Sequence, residues 1–223
     1  MDDLRSFLQA CSPNELAGLA FILRTKEQSV DAIIDGLWWN CQHTAYYYLG
    51  YRPGYLEILR TIAAQFKIAY TPEAVPTQLE IAIAQAILQK LWEQMTPVQR
   101  QAMEEQLRVT AQAFDKTGSV VTGGGIFLTL TAAQLSGFGV YLLASTTLGA
   151  MSGTLGLTLP FVVYTSMSRA IAAIIGPVGW IAAGLYTSWT LNGPNYTRLV
   201  SAVIYICMLR ARRALGDGSE VVE

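Results

Sequence analysis

Between Thr117 and Thr197 the chain carries one charged side chain, Arg169, with 52 uncharged residues before it (117–168) and 28 after it (170–197). Thirteen of the 19 glycines fall in the same stretch. A run this long and this apolar has to be buried in a core or placed in a bilayer, because water solvates neither arrangement of exposed side chains cheaply. The ionisable residues are therefore crowded elsewhere. Residues 1–116 hold 13 acidic and 10 basic side chains, and residues 117–223 hold 3 and 5. The sequence divides accordingly into an amphipathic half (1–116), an apolar glycine-rich half (117–216) and a short tail (217–223) expected to be flexible. With a net charge of −1, no basic field is available to steer nucleic acid, and no nucleic-acid partner is expected. The acidic start Met1-Asp2-Asp3 is unlike the basic opening of a secretory leader. The three cysteines, Cys11, Cys41 and Cys207, are widely spaced without a CxxC, so reduced thiols are expected rather than disulfides or a zinc site.

The amphipathic half reads as helices throughout. Leu4, Phe7 and Leu8 have i, i+3, i+4 spacing. Ser12-Pro13-Asn14-Glu15 is a capping box with proline at the first helical position, and it opens a helix with Leu16, Leu19, Ala20, Ile22 and Leu23 on its apolar face. After a break at Thr25-Lys26-Glu27, a helix is expected from Val30 to Leu49, with Ile33, Ile34, Leu37, Trp38 and Cys41 on one side. Gly50-Tyr51-Arg52-Pro53-Gly54 predicts a turn. Helical period resumes over 55–68 through Ile58, Leu59, Ile62 and Phe66, then over 77–95 through Leu79, Ile83, Ala86, Ile87 and Trp92. A second capping box, Thr96-Pro97-Val98-Gln99, opens one more helix.

In the apolar half, Ile126 to Leu148 is long enough to cross a bilayer at ~1.5 Å per residue. A second stretch covers 155–175 and a third 176–191, so 126–191 reads as a hydrophobic helical hairpin, with Gly149-x-x-x-Gly153 allowing close helix approach. Its polar groups weaken insertion: apolar residues gain only ~0.3–0.6 kcal/mol each, while a central arginine costs ~2.5–3.5 kcal/mol. Burial inside a helical bundle and display to a membrane both satisfy the arithmetic. A last helix is expected over 195–215, with Leu199, Val203, Ile206 and Cys207 on one face, Arg210, Arg212 and Arg213 in its final turn and Gly216 as its cap.

Few residues carry chemistry. His43, the only histidine, lies two positions from Cys41, which on a helix sets them on nearly opposite sides and makes a poor nucleophile–base pair. Asp31 and Asp35 share a face but have no third ligand in the sequence, so a solvated acidic face is expected and no metal site. Gly123-Gly124-Gly125 lacks the ending of a nucleotide loop, and no cofactor is expected. The residues that suit contact with a membrane or partner are Trp38, Trp39 and Tyr46 on the aromatic helix, because Trp and Tyr present an apolar body and a polar tip. To these are added the tight bend Gly176-Pro177-x-Gly179-Trp180, and Arg169, a lone charge that needs a partner or an aqueous exit.

Leu4-x-x-Phe7-Leu8-x-x-Cys11-Ser12-x-x-Glu15-Leu16 resembles the start of the YaaW-like (UPF0174) proteins, an uncharacterised bacterial family. The resemblance continues in Gly54-Tyr55-Leu56-Glu57-Ile58-Leu59 and Leu88-x-x-Leu91-Trp92-Glu93-Gln94-Met95-Thr96. It extends to Gly176-Pro177-Val178-Gly179-Trp180, Gly193-Pro194-x-Tyr196-x-Arg198 and Ile204-x-x-x-Met208-Leu209-Arg210. Members are sometimes labelled as similar to ubiquinol–cytochrome c chaperones, which implies assistance in assembling a membrane complex; no catalytic residues come with the resemblance.

Together these readings predict an all-α fold, a helical bundle that encloses or displays the glycine-rich hairpin. The expected role is non-enzymatic: a membrane-associated, chaperone-like accessory protein whose partner is a lipid bilayer or an apolar protein client. It would sit at the cytoplasmic face of a membrane, or in the cytoplasm, with Lys116 and Arg198 both on the cytoplasmic side of an even number of spans. Two alternatives stand beside it: a bilayer-permeabilising protein that stores the hairpin until triggered, and a soluble interaction module that self-associates as a homo-oligomer.

Overall fold

The computed structural model of this chain describes residues 1–42, 44–94, 96–97, 100–101 and 193–216. Among these residues every regular element is helical: α1 (Asp2–Gln9), α2 (Pro13–Leu23), α3 (Val30–Cys41), α4 (Thr44–Tyr48), α5 (Tyr55–Phe66), α6 (Pro76–Gln94) and α7 (Tyr196–Gly216). The fold is all-α. The helix opened by Thr96-Pro97 is described at 97, 100 and 101, which are helical, with Arg100 N donating to Thr96 O at 3.0 Å. The rest of that helix, the expected hairpin over 126–191, His43, and the site residues Arg169, Gly176, Pro177, Gly179 and Trp180 lie outside the described residues.

Local chemistry accounts for most of the helix ends. Ser12 caps α2: its hydroxyl accepts from Glu15 N at 3.3 Å, while Glu15 Oε2 accepts from Ser12 N at 2.8 Å. Such a reciprocal pair satisfies two of the donors that a helix start leaves open. Ser29 caps α3 by accepting from Ala32 N at 3.2 Å. At α5 the cap is half of this device, with Gly54 N donating to Glu57 Oε2 at 2.6 Å. α2 and α5 each end on a non-glycine residue in the left-handed region, Arg24 (φ 55°) and Lys67 (φ 54°). Their backbone N–H groups and those that follow close back on Ala20, Phe21, Ala63 and Ala64 carbonyls.

The apolar faces read from periodicity point inward. Leu19, Ile22 and Leu23 of α2, Ile33, Ile34 and Leu37 of α3, Ile58, Leu59 and Ile62 of α5, and Leu79, Ile83 and Ile87 of α6 are all buried in one core. At the centre of that core is α7. Every residue from Leu199 to Leu209 is buried, including Ser201, whose hydroxyl donates to Thr197 O at 2.9 Å and so needs no external partner. The sequence suggests an amphipathic last helix with one apolar face; instead it is surrounded by α2, α3, α5 and α6. A helix that neighbours cover on all sides must be apolar all round, and Val200, Ala202, Ile204 and Tyr205 make it so. This helix, grouped by composition with the 117–216 half, thus shares a core with the helices of 1–94.

Two boundaries also differ from the sequence reading. The helix expected to run unbroken from Val30 to Leu49 stops at Cys41, where Gln42 is extended (φ −145°, ψ 167°), and the short α4 follows. At the far end, Gly216 closes α7 as part of the helix rather than lying beyond it as a cap.

Candidate interfacial site

The break after Cys41 produces an exposed aromatic edge. α4 leaves the line of α3 and carries Tyr46, Tyr47 and Tyr48, and the chain then turns at Gly50, whose φ of +81° is one that side chains disfavour. Trp39, Tyr46, Tyr48, Leu49 and Tyr51 are exposed by 43, 56, 76, 81 and 53%. These are large apolar groups gathered within 13 consecutive positions, and such clustering, unlike a scattered surface leucine, is informative.

Around these side chains the neighbouring residues are fixed in place. Trp38 is half-buried and its Nε1 donates to Pro53 O at 3.0 Å. Arg52 lies between two rings, 5.1 Å from the Trp38 centroid and 4.5 Å from that of Tyr47. Its guanidinium also donates to the carbonyls of Tyr47 at 2.9 Å and Tyr51 at 3.0 Å. Gln42 Nε2 donates to Tyr51 O at 3.2 Å, a second tie on the same turn. The Tyr47 hydroxyl donates to the Asp35 carboxylate at 2.7 Å, and that bond pushes the phenol above its ordinary range. Trp39 meets Tyr47 edge-on at 5.0 Å and Tyr48 at 6.2 Å, while Tyr46 meets Tyr51 at 6.5 Å. Edge-to-face rings at these separations attract one another, so the edge is a shaped surface rather than a set of independent rotors.

The same end of the bundle receives the chain returning from the uncharged stretch. Asn195 N donates to Asn40 O at 2.7 Å, one residue from Trp39. Asn195 then caps α7, its Oδ1 accepting from Arg198 N at 3.2 Å. The carbonyl of Asn40 is one of those that the end of α3 leaves without an intrahelical partner, which is why a backbone N–H from elsewhere can take it. The Asn40 side chain, 2% exposed, donates to Gly36 O at 2.7 Å and Leu23 O at 3.4 Å and holds the α2–α3 corner to this junction. Next along, Tyr196 packs edge-on to Phe66 at 6.2 Å.

Of the site residues named from sequence, Trp38, Trp39 and Tyr46 come together here, with Trp38 an anchor and the other two exposed. Leu49, Tyr51 and Arg52 belong to the same surface, although the sequence reading gives Leu49 only as the end of a helix and Tyr51 and Arg52 only as part of a turn. An aromatic run ending in Leu49-Gly50-Tyr51-Arg52 was the available signal. Asp31 and Asp35 do not form one acidic site: Asp31 pairs with Arg5, and Asp35 with Tyr47. Cys41 is buried and its Sγ approaches Trp38 O at 3.3 Å; burial pushes the thiol up to about 12, so it holds its proton at neutral pH. Among the described residues no helix is long and apolar enough to cross a membrane.

Two relatives from Helicobacter pylori strains, each named a UPF0174 protein, are 28% identical to this chain over 159 and 160 residues. Each match covers 71% of this chain. These matches bear out the resemblance to UPF0174 proteins read from the sequence. The match spans 61% of the length of the strain J99 relative and 76% of that from strain 26695. No family model matches the chain, and no solved structure matches it.

Proposed function

We propose that this protein, similar to UPF0174 proteins, is a non-enzymatic, membrane-associated accessory protein of the cytoplasmic membrane face, with assistance to the assembly of a membrane complex as its role. In this reading the aromatic edge lies at the lipid–water boundary and the uncharged stretch, as a hydrophobic hairpin, reaches the bilayer from beside it. The observation that carries the reading is the coincidence of two features at one end of the bundle. Five large side chains, Trp39, Tyr46, Tyr48, Leu49 and Tyr51, are exposed there, and the Asn195–Asn40 hydrogen bond brings the end of the uncharged stretch to the same point. Tyr and Trp suit the boundary between headgroups and acyl chains because each has an apolar ring and a polar tip.

Flotation of the full chain with dye-loaded vesicles of neutral and anionic phospholipid tests this. The protein is expected to rise with the vesicles without releasing dye. A Trp39→Ser, Tyr48→Ser, Leu49→Ser variant, altered only at exposed positions, is expected to rise far less. Burying the exposed part of one such aromatic ring in a bilayer is worth about 2 kcal/mol, so each loss weakens partition by roughly thirtyfold. Dye release would assign the protein to the bilayer-permeabilising class instead. Protein left at the bottom of the gradient would sink the membrane reading and leave a self-associating module.

A further inference from the structure

Glu80 of α6 is a carboxylic acid sealed in the core, with 1% of its surface exposed. Three other helices bring polar groups to it. α7 supplies Arg210, whose Nε lies 3.4 Å from Glu80 Oε1, and the buried thiol of Cys207. α5 supplies the fully buried hydroxyl of Tyr55, and α1 supplies Asp3 at the outer side. Arg210 is shared: its Nη2 donates to Asp3 at 2.9 Å, and its guanidinium lies 4.5 Å over the ring of Phe7. Glu80 Oε1, the Tyr55 hydroxyl and Arg210 Nε are all buried, yet none of the three reaches full hydrogen-bond geometry.

That geometry favours one protonation state. An ionised carboxylate needs donors for both oxygens, and here the donors at hand are the Tyr55 hydroxyl, short of full hydrogen-bond geometry, and a misaligned guanidinium whose better bond goes to another acid. A neutral carboxyl loses the charge and gains a donor of its own, which the neighbouring Tyr55 oxygen can accept. We propose that Glu80 is a proton-operated latch on α7: neutral, it lets the C-terminal part of that helix seat against α1, α5 and α6, and ionised, it loosens the seat. The latch acts on the C-terminal part of α7 around Arg210, whether or not a membrane is the partner.

The proton equilibrium agrees in sign. Burial raises the Glu80 carboxyl from 4.5 to about 7; Arg210 and Tyr55 oppose this, and Asp3 adds to it. A group raised in the folded state holds its proton where the unfolded chain has released it. Its contribution to stability is therefore complete below pH 4.5 and is lost as pH climbs to about 7.

The test is urea unfolding of the full chain and of Glu80→Gln, which mimics the neutral acid, between pH 4.5 and 8. The unfolding constant of the wild type relative to the variant is expected to rise roughly a hundredfold over that range. Amide exchange along 203–210, compared at equal pH above 7, should be faster in the wild type. A flat ratio, or one that falls with pH, would overturn the proposal by showing an ionised Glu80 held by Arg210. Should Glu80→Gln fail to fold, carbon NMR of the assigned Glu80 carboxyl in the wild type decides: a midpoint near neutrality supports the latch, and one at or below 4.5 overturns it.

Discussion

Replacing Gly18 with alanine sets two effects of opposite sign against each other. Gly18 lies in the middle of α2, where alanine is intrinsically the better helix former by about 1 kcal/mol, so propensity alone predicts a more stable protein. The tertiary environment predicts the reverse. A Cβ at this position would stand 2.5 Å from the Tyr205 hydroxyl oxygen, 2.7 Å from Cζ and 3.2 Å from Cε1. Tyr205 is 0% exposed in the middle of α7, so its ring has no route to solvent and the two helices must separate. Overpacking of this kind costs about 1–3 kcal/mol, and the 2.5 Å approach of a buried ring sets it toward the upper end, which after the propensity gain leaves a net loss of up to about 2 kcal/mol.

The companion change separates the causes. Tyr205→Phe removes the nearest clashing atom together with a buried hydroxyl that has no hydrogen-bond partner among the described residues. Alone it is expected to be neutral or stabilising by about 1 kcal/mol, because an unsatisfied buried hydroxyl carries its desolvation cost uncompensated. With Gly18→Ala it should recover part of the loss, giving a coupling of about 1 kcal/mol in the double-mutant cycle. Equilibrium urea denaturation followed by circular dichroism measures all four proteins at one pH. If Gly18→Ala raises the midpoint, or if the two changes are simply additive, then α2 and α7 do not approach through this glycine and the reasoning fails.

Three further outcomes are expected. Asn40→Ala strips the donor from the carbonyls of Gly36 and Leu23 in a buried corner and should cost about 1–3 kcal/mol, read as a lower thermal midpoint. Lys67→Gly relieves a left-handed backbone at an exposed helix end and should raise stability by up to about 1 kcal/mol; a loss in the same melt would mean that the lysine side chain contributes there. Cys41, whose thiol is pushed up to about 12, and Cys207, also raised by burial, should resist a thiol reagent at pH 8 in the folded protein and react when urea is added. Fast labelling of the folded chain would refute their burial.

How much of this was legible beforehand differs between elements. The α2 start follows from Ser12-Pro13-Asn14-Glu15, because a capping box is made by residues three apart and needs no partner. The inward faces of α3, α5 and α6 follow from spacing for the same reason. The end of α3 did not follow: nothing between Asn40 and Tyr48 breaks helical period, and the end coincides with a contact from Asn195, 155 positions downstream. The aromatic edge was half visible. Trp38 and Trp39 are adjacent in sequence, and only the packing makes one an anchor to Pro53 and leaves the other exposed.

The interior of the bundle shows the same division most clearly. Helical character, the turn at Gly50, the caps at Ser12 and Ser29 and the apolar faces of 13–94 are consequences of near neighbours along the chain, so residue order is enough to establish them. The enclosure of α7 on every side, the close approach of Gly18 to Tyr205 and the burial of Glu80 beside Arg210 join residues more than a hundred positions apart. Local propensity carries no record of such pairings; they arise when the helices choose their neighbours, and burial then sets the charge and the space that each side chain is allowed.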